Sequence, residues 1–354
     1  MRIAQVAPLI EPVPPKLYGG TERVVSYITE ELVKRGHRVT LFASGDSKTK
    51  AELRSVIGKS IRLDGSNPDS FAYHTLELSD VLSLADEFDV IHCHLEYLAF
   101  PFSRLFGVPT VHTLHGKLDY PYWRPMMECY PDVPLVSISD SQRRPVSDMD
   151  VCWMDTIHHG LPESNFMLYP GEDGYLAFYS RMSPEKHPDL AIEVAKRSGI
   201  PLKMAGKVDN KDREYFKTKI KPMLDHPLVE FIGEIGEEER PVFLGNARAL
   251  LFPIEWPEPF GLVMIESMAV GTPVIARPYG AVPEVIDEGV TGLIAQDVEG
   301  LVDAVRKVDR IGREGCLLRA QEQFSVEAMV DRYEKVYQRL IVQDESTRSG
   351  LFKI

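Results

Sequence analysis

The sequence predicts an α/β protein built from two doubly wound, parallel-sheet domains. Three observations lead there. Short apolar strands alternate with helical stretches along the whole chain, the pattern of a parallel sheet covered by helices. The pattern runs twice, once on each side of a stretch at 162–174 that holds Pro162, Pro170, Gly171 and Gly174 and has no clear periodicity. A length of 354 residues also suits two cores better than one.

In the first half, strands are expected at Arg2–Ala7, Arg38–Ser44, Asp89–His94, Pro109–Leu114 and Pro134–Ser139. A helix is expected from Gly20 to Lys34. Its apolar stripe is Val24, Val25, Ile28, Leu32 and Val33, and Gly36 ends it. The second half repeats the theme at Leu176–Tyr179, Leu202–Ala205, Val229–Ile232, Ala249–Pro253 and Val274–Ala276. From Leu262 the run reads as a buried helix that Gly271 and Pro273 stop. A last long helix spans about Ser325–Leu340. The expected domains are 1–168 and 169–332, with 333–354 as a terminal segment.

Composition is that of a globular protein, with 44% apolar and 26% charged residues. The net charge of -13 is spread evenly: residues 1–170 hold 16 Lys+Arg against 22 Asp+Glu, the rest 24 against 31. No basic half exists to bind nucleic acid or anionic lipid. No apolar run approaches membrane-spanning length. Cys93, Cys129, Cys152 and Cys316 lack metal-ligand spacing, and free thiols suit a reducing cytoplasm, the expected location.

The chemistry is carried by two motifs in the second half. In Glu258-Pro259-Phe260-Gly261-Leu262-Val263-Met264-Ile265-Glu266, Glu258 sits on the loop and Glu266 about one turn into the helix. A helix start offers N–H groups to an anion, and two carboxylates beside it can accept hydrogen bonds from hydroxyls. Upstream, Tyr179-Ser180-Arg181-Met182-Ser183-Pro184-Glu185-Lys186-His187 places two cations after a short strand. That is where a doubly wound fold puts ligand contacts, and Arg with Lys can neutralise a diphosphate. In the first half, prolines 12, 14 and 15 stiffen the loop before Gly19-Gly20, and the glycine pair lets backbone approach a ligand. His115 closes the strand that ends in His112-Thr113-Leu114, with Tyr120, Tyr122 and Trp123 beyond it. His92 and His94 share one strand face and read as packing histidines. Asp148-x-Asp150 follows a polar stretch instead of ending an apolar strand, so it reads as surface acid.

The Glu258–Glu266 motif with its Ala-x-Gly-Thr-Pro tail, and Arg181 with Lys186, resemble the donor-site signatures of glycosyltransferase family 4. Where that family commonly has glycine after the lysine, this chain has His187. The resemblance implies the GT-B fold: two Rossmann-like domains facing each other across a cleft, the final helix crossing back to the first. It implies retaining transfer of a hexose from a nucleotide-diphosphate sugar to an acceptor, without a metal or other cofactor. Arg181 and Lys186 would stabilise the leaving diphosphate, Glu258 would bind sugar hydroxyls and Glu266 the ribose. Backbone across Pro259, Phe260, Gly261, Leu262 and Val263 would hold sugar and phosphate, and the base would meet the chain near Gly233–Ile235, at Ile235. Gly19 and Gly20 would face the phosphates, and His115 would lie near the transferred sugar. A UDP-glucose-like donor is expected first because such donors are common. A related epimerase or hydrolase, or a non-catalytic sugar-nucleotide-binding protein, stays open. Acceptor and oligomeric state are left undetermined.

Overall fold

A computed structural model describes residues 1–17, 19–66, 68–171 and 174–351, with backbone alone for 347–351. Residues 352–354 of the expected terminal segment lie outside the described residues. The chain divides into two compact units, Met1–Gly160 with Val326–Ile354, and Leu161–Ser325. The divisions fall at Gly160/Leu161 and Ser325/Val326, where the sequence reading places them at 168/169 and 332/333.

The first unit is a seven-stranded, all-parallel sheet: β1 (Arg2–Val6), β2 (Arg38–Phe42), β3 (Glu52–Arg54), β4 (Val90–Cys93), β5 (Thr110–Thr113), β6 (Leu135–Ser137) and β7 (Trp153–Thr156). Their spatial order is β3-β2-β1-β4-β5-β6-β7. The second unit holds β8 (Leu176–Tyr179), β9 (Leu202–Ala205), β10 (Val229–Gly233), β11 (Ala249–Phe252), β12 (Val274–Ala276) and β13 (Gly292–Ile294). Their order is β10-β9-β8-β11-β12-β13. Each order reverses direction once, between β1 and β4 in one sheet and between β8 and β11 in the other. Ligands of doubly wound folds bind outside the strand ends at such switch points.

Central strands are buried on both faces, which is why they read as near-continuous apolar runs. All ten expected strands form. The sequence reading missed β3, β7 and β13, each of which lies at a sheet edge. At edges, burial is partial and the apolar signal weakens; every residue of β7 is only half-buried. The helix Gly20–Lys34 forms as expected. The last helix corrects the expected bounds: it runs Val326–Leu351, beyond Leu340, because no proline or glycine interrupts Ile341–Ser349. It packs on the helix Gly20–Lys34 and on β4. Tyr333 and Tyr337 are fully buried there, and Arg35 ties Asp331 and Glu334 at 2.6 Å each.

Candidate active site

In the second unit the two sequence motifs come together. β8 and β11 are neighbours, so the loops leaving their carboxyl ends lie side by side. Lys186, on the loop after β8, forms an ion pair with Glu258, on the loop after β11. Both side chains are largely buried, and the Lys186 ammonium sits 4.5 Å from the Trp256 ring centroid. Arg181 is placed differently from a plain diphosphate clamp. It bonds Glu185 at 2.8 Å and lies 3.7 and 3.8 Å from Asp209 and Asp212. Burial raises the Asp212 carboxyl above its ordinary value.

Three glycines set this geometry. Gly261 has φ +85° and caps the helix Leu262–Ala269, turning the chain sharply so that the helix begins right after the Glu258 loop. The N–H groups of Leu262 and Val263 have no acceptor within the helix. At Gly280 (φ +62°) a Cβ would lie 2.2 Å from the backbone N and O of Glu258. At Gly206 a Cβ would lie 1.7 Å from the Ser180 carbonyl oxygen, so the loops after β8 and β9 pack backbone to backbone. Gly206 N–H donates to the Gly233 carbonyl at 2.8 Å, which brings the Gly233–Ile235 segment to the same sheet end. Ile235 is buried.

Glu266 is buried and accepts from Arg240 at 2.6 Å. Arg240 also donates to the Tyr179 hydroxyl at 3.2 Å. Sequence reasoning missed Arg240: it follows Glu237-Glu238-Glu239 and stands at no motif spacing from Glu266. It missed Trp256 and Gly280 too, although a tryptophan two residues before Glu258 was a legible signal. Pro259 and Phe260 are buried, the Phe260 ring packing on Phe324 with centroids 6.1 Å apart. His187 takes the left-handed conformation (φ 52°, ψ 54°) for which glycine is suited, and its ring lies 3.0 Å from Glu255 and 3.4 Å from Asp189. Beyond His187 a cavity of about 360 Å³ is lined by Asp189, Glu255, Arg277 and Asp297 among others. None of Arg181, Lys186, Glu258 or Glu266 lines it.

In the first unit, Gly19 (φ +148°) caps the helix Gly20–Lys34, and a Cβ there would lie 2.8 Å from Pro15. Gly20 is exposed at the helix start, and burial pushes the nearby Glu22 carboxyl up to about 7. His115 follows β5. Burial pushes its imidazole down to about 3, which keeps the ring neutral at physiological pH. Glu96, another residue the sequence reading passed over, holds that loop: one carboxylate oxygen accepts from the His115 and Gly116 N–H groups at 2.9 and 2.8 Å. Its backbone is left-handed (φ 52°), and burial pushes its carboxyl up to about 7. A carboxylate inside the apolar run Leu95–Phe100 was the available signal. His92 and His94 are wholly enclosed, as packing histidines are. No group of three metal-ligating side chains occurs among the described residues. Asp148 is exposed and paired with Arg124 at 2.7 Å, as surface acid should be. The four cysteines are free thiols. No described helix is long and apolar enough to cross a membrane.

Comparison with known proteins follows the same division. The model for "Glycosyl transferases group 1" matches residues 164–313, and that for "Glycosyltransferase Family 4" matches residues 18–134. The D-inositol 3-phosphate glycosyltransferase of Mycolicibacterium paratuberculosis is 26% identical over 267 residues, 62% of this chain and 58% of that protein. The chain spans about half the length of the curated relatives it matches first. Among solved structures, sucrose-phosphate synthase from Thermosynechococcus elongatus superposes with a TM-score of 0.78 at 19% identity, covering 97% of this chain and 100% of that one. Anabaena HepE in complex with UDP-glucose gives 0.74 at 15% identity, covering 96% and 99%. With one model on each unit and the GT-B fold shared along nearly the whole chain, the protein belongs to the family 4, group 1 glycosyltransferases.

Proposed function

We propose that this protein transfers a hexose, with retention of anomeric configuration, from a nucleotide-diphosphate sugar to an acceptor hydroxyl. The observation that carries the reading is the Lys186–Glu258 pair at the start of the helix Leu262–Ala269. A departing diphosphate develops negative charge, and a cation with helix-start N–H groups aimed at it stabilises that charge. When the diphosphate arrives, Lys186 exchanges Glu258 for phosphate oxygens. Glu258 is then released to accept from sugar hydroxyls. Arg181 supplies a second cation, and its three carboxylate neighbours hold it in place. Glu266, oriented by Arg240, has its second oxygen for the ribose. The leaving phosphate takes the acceptor's proton, so no dedicated base is needed. The cations are the chain's own, so the diphosphate requires no divalent ion. A UDP-glucose-like donor is supported by the likeness to HepE, which has been solved with UDP-glucose. The stacked, half-exposed rings of Tyr120 and Tyr122, 5.4 Å apart and just past His115, offer a flat apolar face for an acceptor sugar.

Incubation with UDP-glucose and a panel of sugar acceptors, in EDTA, followed by NMR of the product's anomeric coupling, tests the reading. A retained linkage formed with chelator present is expected. Activity that EDTA abolishes and manganese restores would overturn the metal-free site, and an inverted linkage would overturn retention. Donor cleavage that never depends on an acceptor would make the protein a hydrolase.

A further inference from the structure

A buried relay of side chains runs from the last helix to the ring of His115. The relay exists because β1, β4 and β5 are consecutive neighbours. Gln5 on β1 stands opposite His92 on β4, so His94, two residues on, points to the same face, and His115 follows on the β5 side. The Gln5 amide nitrogen donates to the Tyr337 hydroxyl at 3.2 Å. Its carbonyl oxygen is therefore turned toward His94 Nε2, 2.9 Å away. A carbonyl only accepts, so His94 Nε2 carries the proton. The enclosed His94 ring is held neutral by burial, which leaves its Nδ1 as an acceptor. His115 Nε2 lies 2.9 Å from that nitrogen and must donate. In a neutral His115 ring, Nδ1 then bears only a lone pair. It is enclosed and has no hydrogen-bond partner among the described residues, and a buried acceptor left unmatched is costly unless a ligand completes it.

We propose that Tyr337, Gln5 and His94 are positioning residues that fix His115 as the Nε2–H tautomer, so that Nδ1 accepts a hydrogen bond from a ligand hydroxyl. Toward the ligand His115 is then a hydrogen-bond acceptor and not a proton donor, because its Nε2–H is committed to His94. Its tautomer is set by the side chain of Tyr337, 222 positions away in sequence. This rests on the reading of His115 as a residue of the transferase site.

Long-range ¹H–¹⁵N spectra of the full chain, labelled at histidine and free of substrate, test the relay. His115 is assigned by the signal lost in His115→Gln. The wild type should show His115 and His94 as neutral rings protonated at Nε2. An Nδ1–H ring at His115, or a mixture of tautomers, would overturn the proposal. In Gln5→Leu, His115 should become a mixture, and turnover should fall several-fold with the donor KM unchanged. An unchanged single tautomer in folded Gln5→Leu would refute the relay. Where Gln5→Leu fails to fold, Tyr337→Phe removes the anchor of the amide, together with the hydroxyl that lies 2.7 Å from His92 Nδ1, and the His115 tautomer is read in the same way. Because the spectra need no substrate, a wrong tautomer refutes the relay alone. A wild type with the expected tautomer but no transfer to any acceptor refutes the function alone.

Discussion

Lys186 has three neighbours that matter: the Glu258 carboxylate, the Trp256 ring and the Phe252 ring. Lys186→Ala should lower turnover by about 10²–10³, the typical loss when one charge-stabilising group is removed, while thermal unfolding stays cooperative. Near-wild-type transfer by the purified variant would show that the diphosphate leaves elsewhere. Glu266→Ala should instead raise the donor KM with little change in turnover, since ribose contacts are nearly equal in ground and transition states. Equal kinetic profiles for Glu266→Ala and Glu258→Ala would dissolve that division of roles. His187 shows why a departure from a family pattern can be tolerated. A non-glycine residue in the left-handed region costs roughly 1–2 kcal/mol, and here the imidazole recovers part of that through Glu255 and Asp189. His187→Gly should therefore leave the unfolding free energy from urea titration within about 1 kcal/mol of wild type. His187→Val, β-branched and without the pairs, should cost at least 1–2 kcal/mol. A stable valine variant would argue against the left-handed turn.

At the scale of elements, loops are held by other loops. The segment around Gly280 presses on the Glu258 backbone and Ala281 N–H donates to the Glu258 carbonyl at 2.9 Å, so Glu258 is fixed from a part of the chain the motif does not contain. Gly280→Ala introduces a Cβ 2.2 Å from two backbone atoms, so one loop must move. The expected result is a destabilisation of about 1–3 kcal/mol, as for overpacking, with a drop in turnover larger than that of a surface mutation. Kinetics and stability both at wild-type values would mean the loop yields without disturbing Glu258. The Glu96 carboxylate plays the equivalent part in the first unit. Glu96→Gln retains a carbonyl oxygen for both N–H groups of the His115 loop and should keep most activity. Glu96→Ala leaves those donors bare and should lower turnover. If the glutamine variant fails as badly as alanine, charge and not hydrogen bonding is what the loop needs.

For the molecule as a whole, burial of ionisable groups in the first unit makes stability depend on pH. Burial depresses the imidazoles of His74, His92, His94, His112, His115 and His159 below 6.5, so the unfolded chain binds protons that the folded one rejects. These six groups make stability rise with pH up to about 6.5. Glu22, Glu77 and Glu96, raised by burial from 4.5, act oppositely, because the folded chain keeps protons that the unfolded one has lost. Six proton-rejecting groups against three proton-keeping ones leave a net gain of about two to three protons. Between roughly pH 5 and 6 the unfolding free energy should therefore climb by about 2–4 kcal/mol per pH unit. Urea midpoints measured across that range check it, and a flat or falling profile would mean the histidines are not held neutral.

Ten of the thirteen strands, the helix Gly20–Lys34 and the residues of both second-half motifs are legible in the sequence alone. Each is local: an apolar run, a 3.6-residue stripe, or charges at short fixed spacing beside a turn. The edge strands β3, β7 and β13 escaped because partial burial erases the pattern that marks a strand. Arg240, Glu96, Gly280 and the Gln5–His94–His115 relay escaped for a different reason. What gives each of them its role is a neighbour reached across parallel strands or between loops at one sheet end, tens to hundreds of residues away. Strand order decides those meetings. It is set by packing helices on both faces of a twisted sheet, and no stretch of residues taken alone carries it.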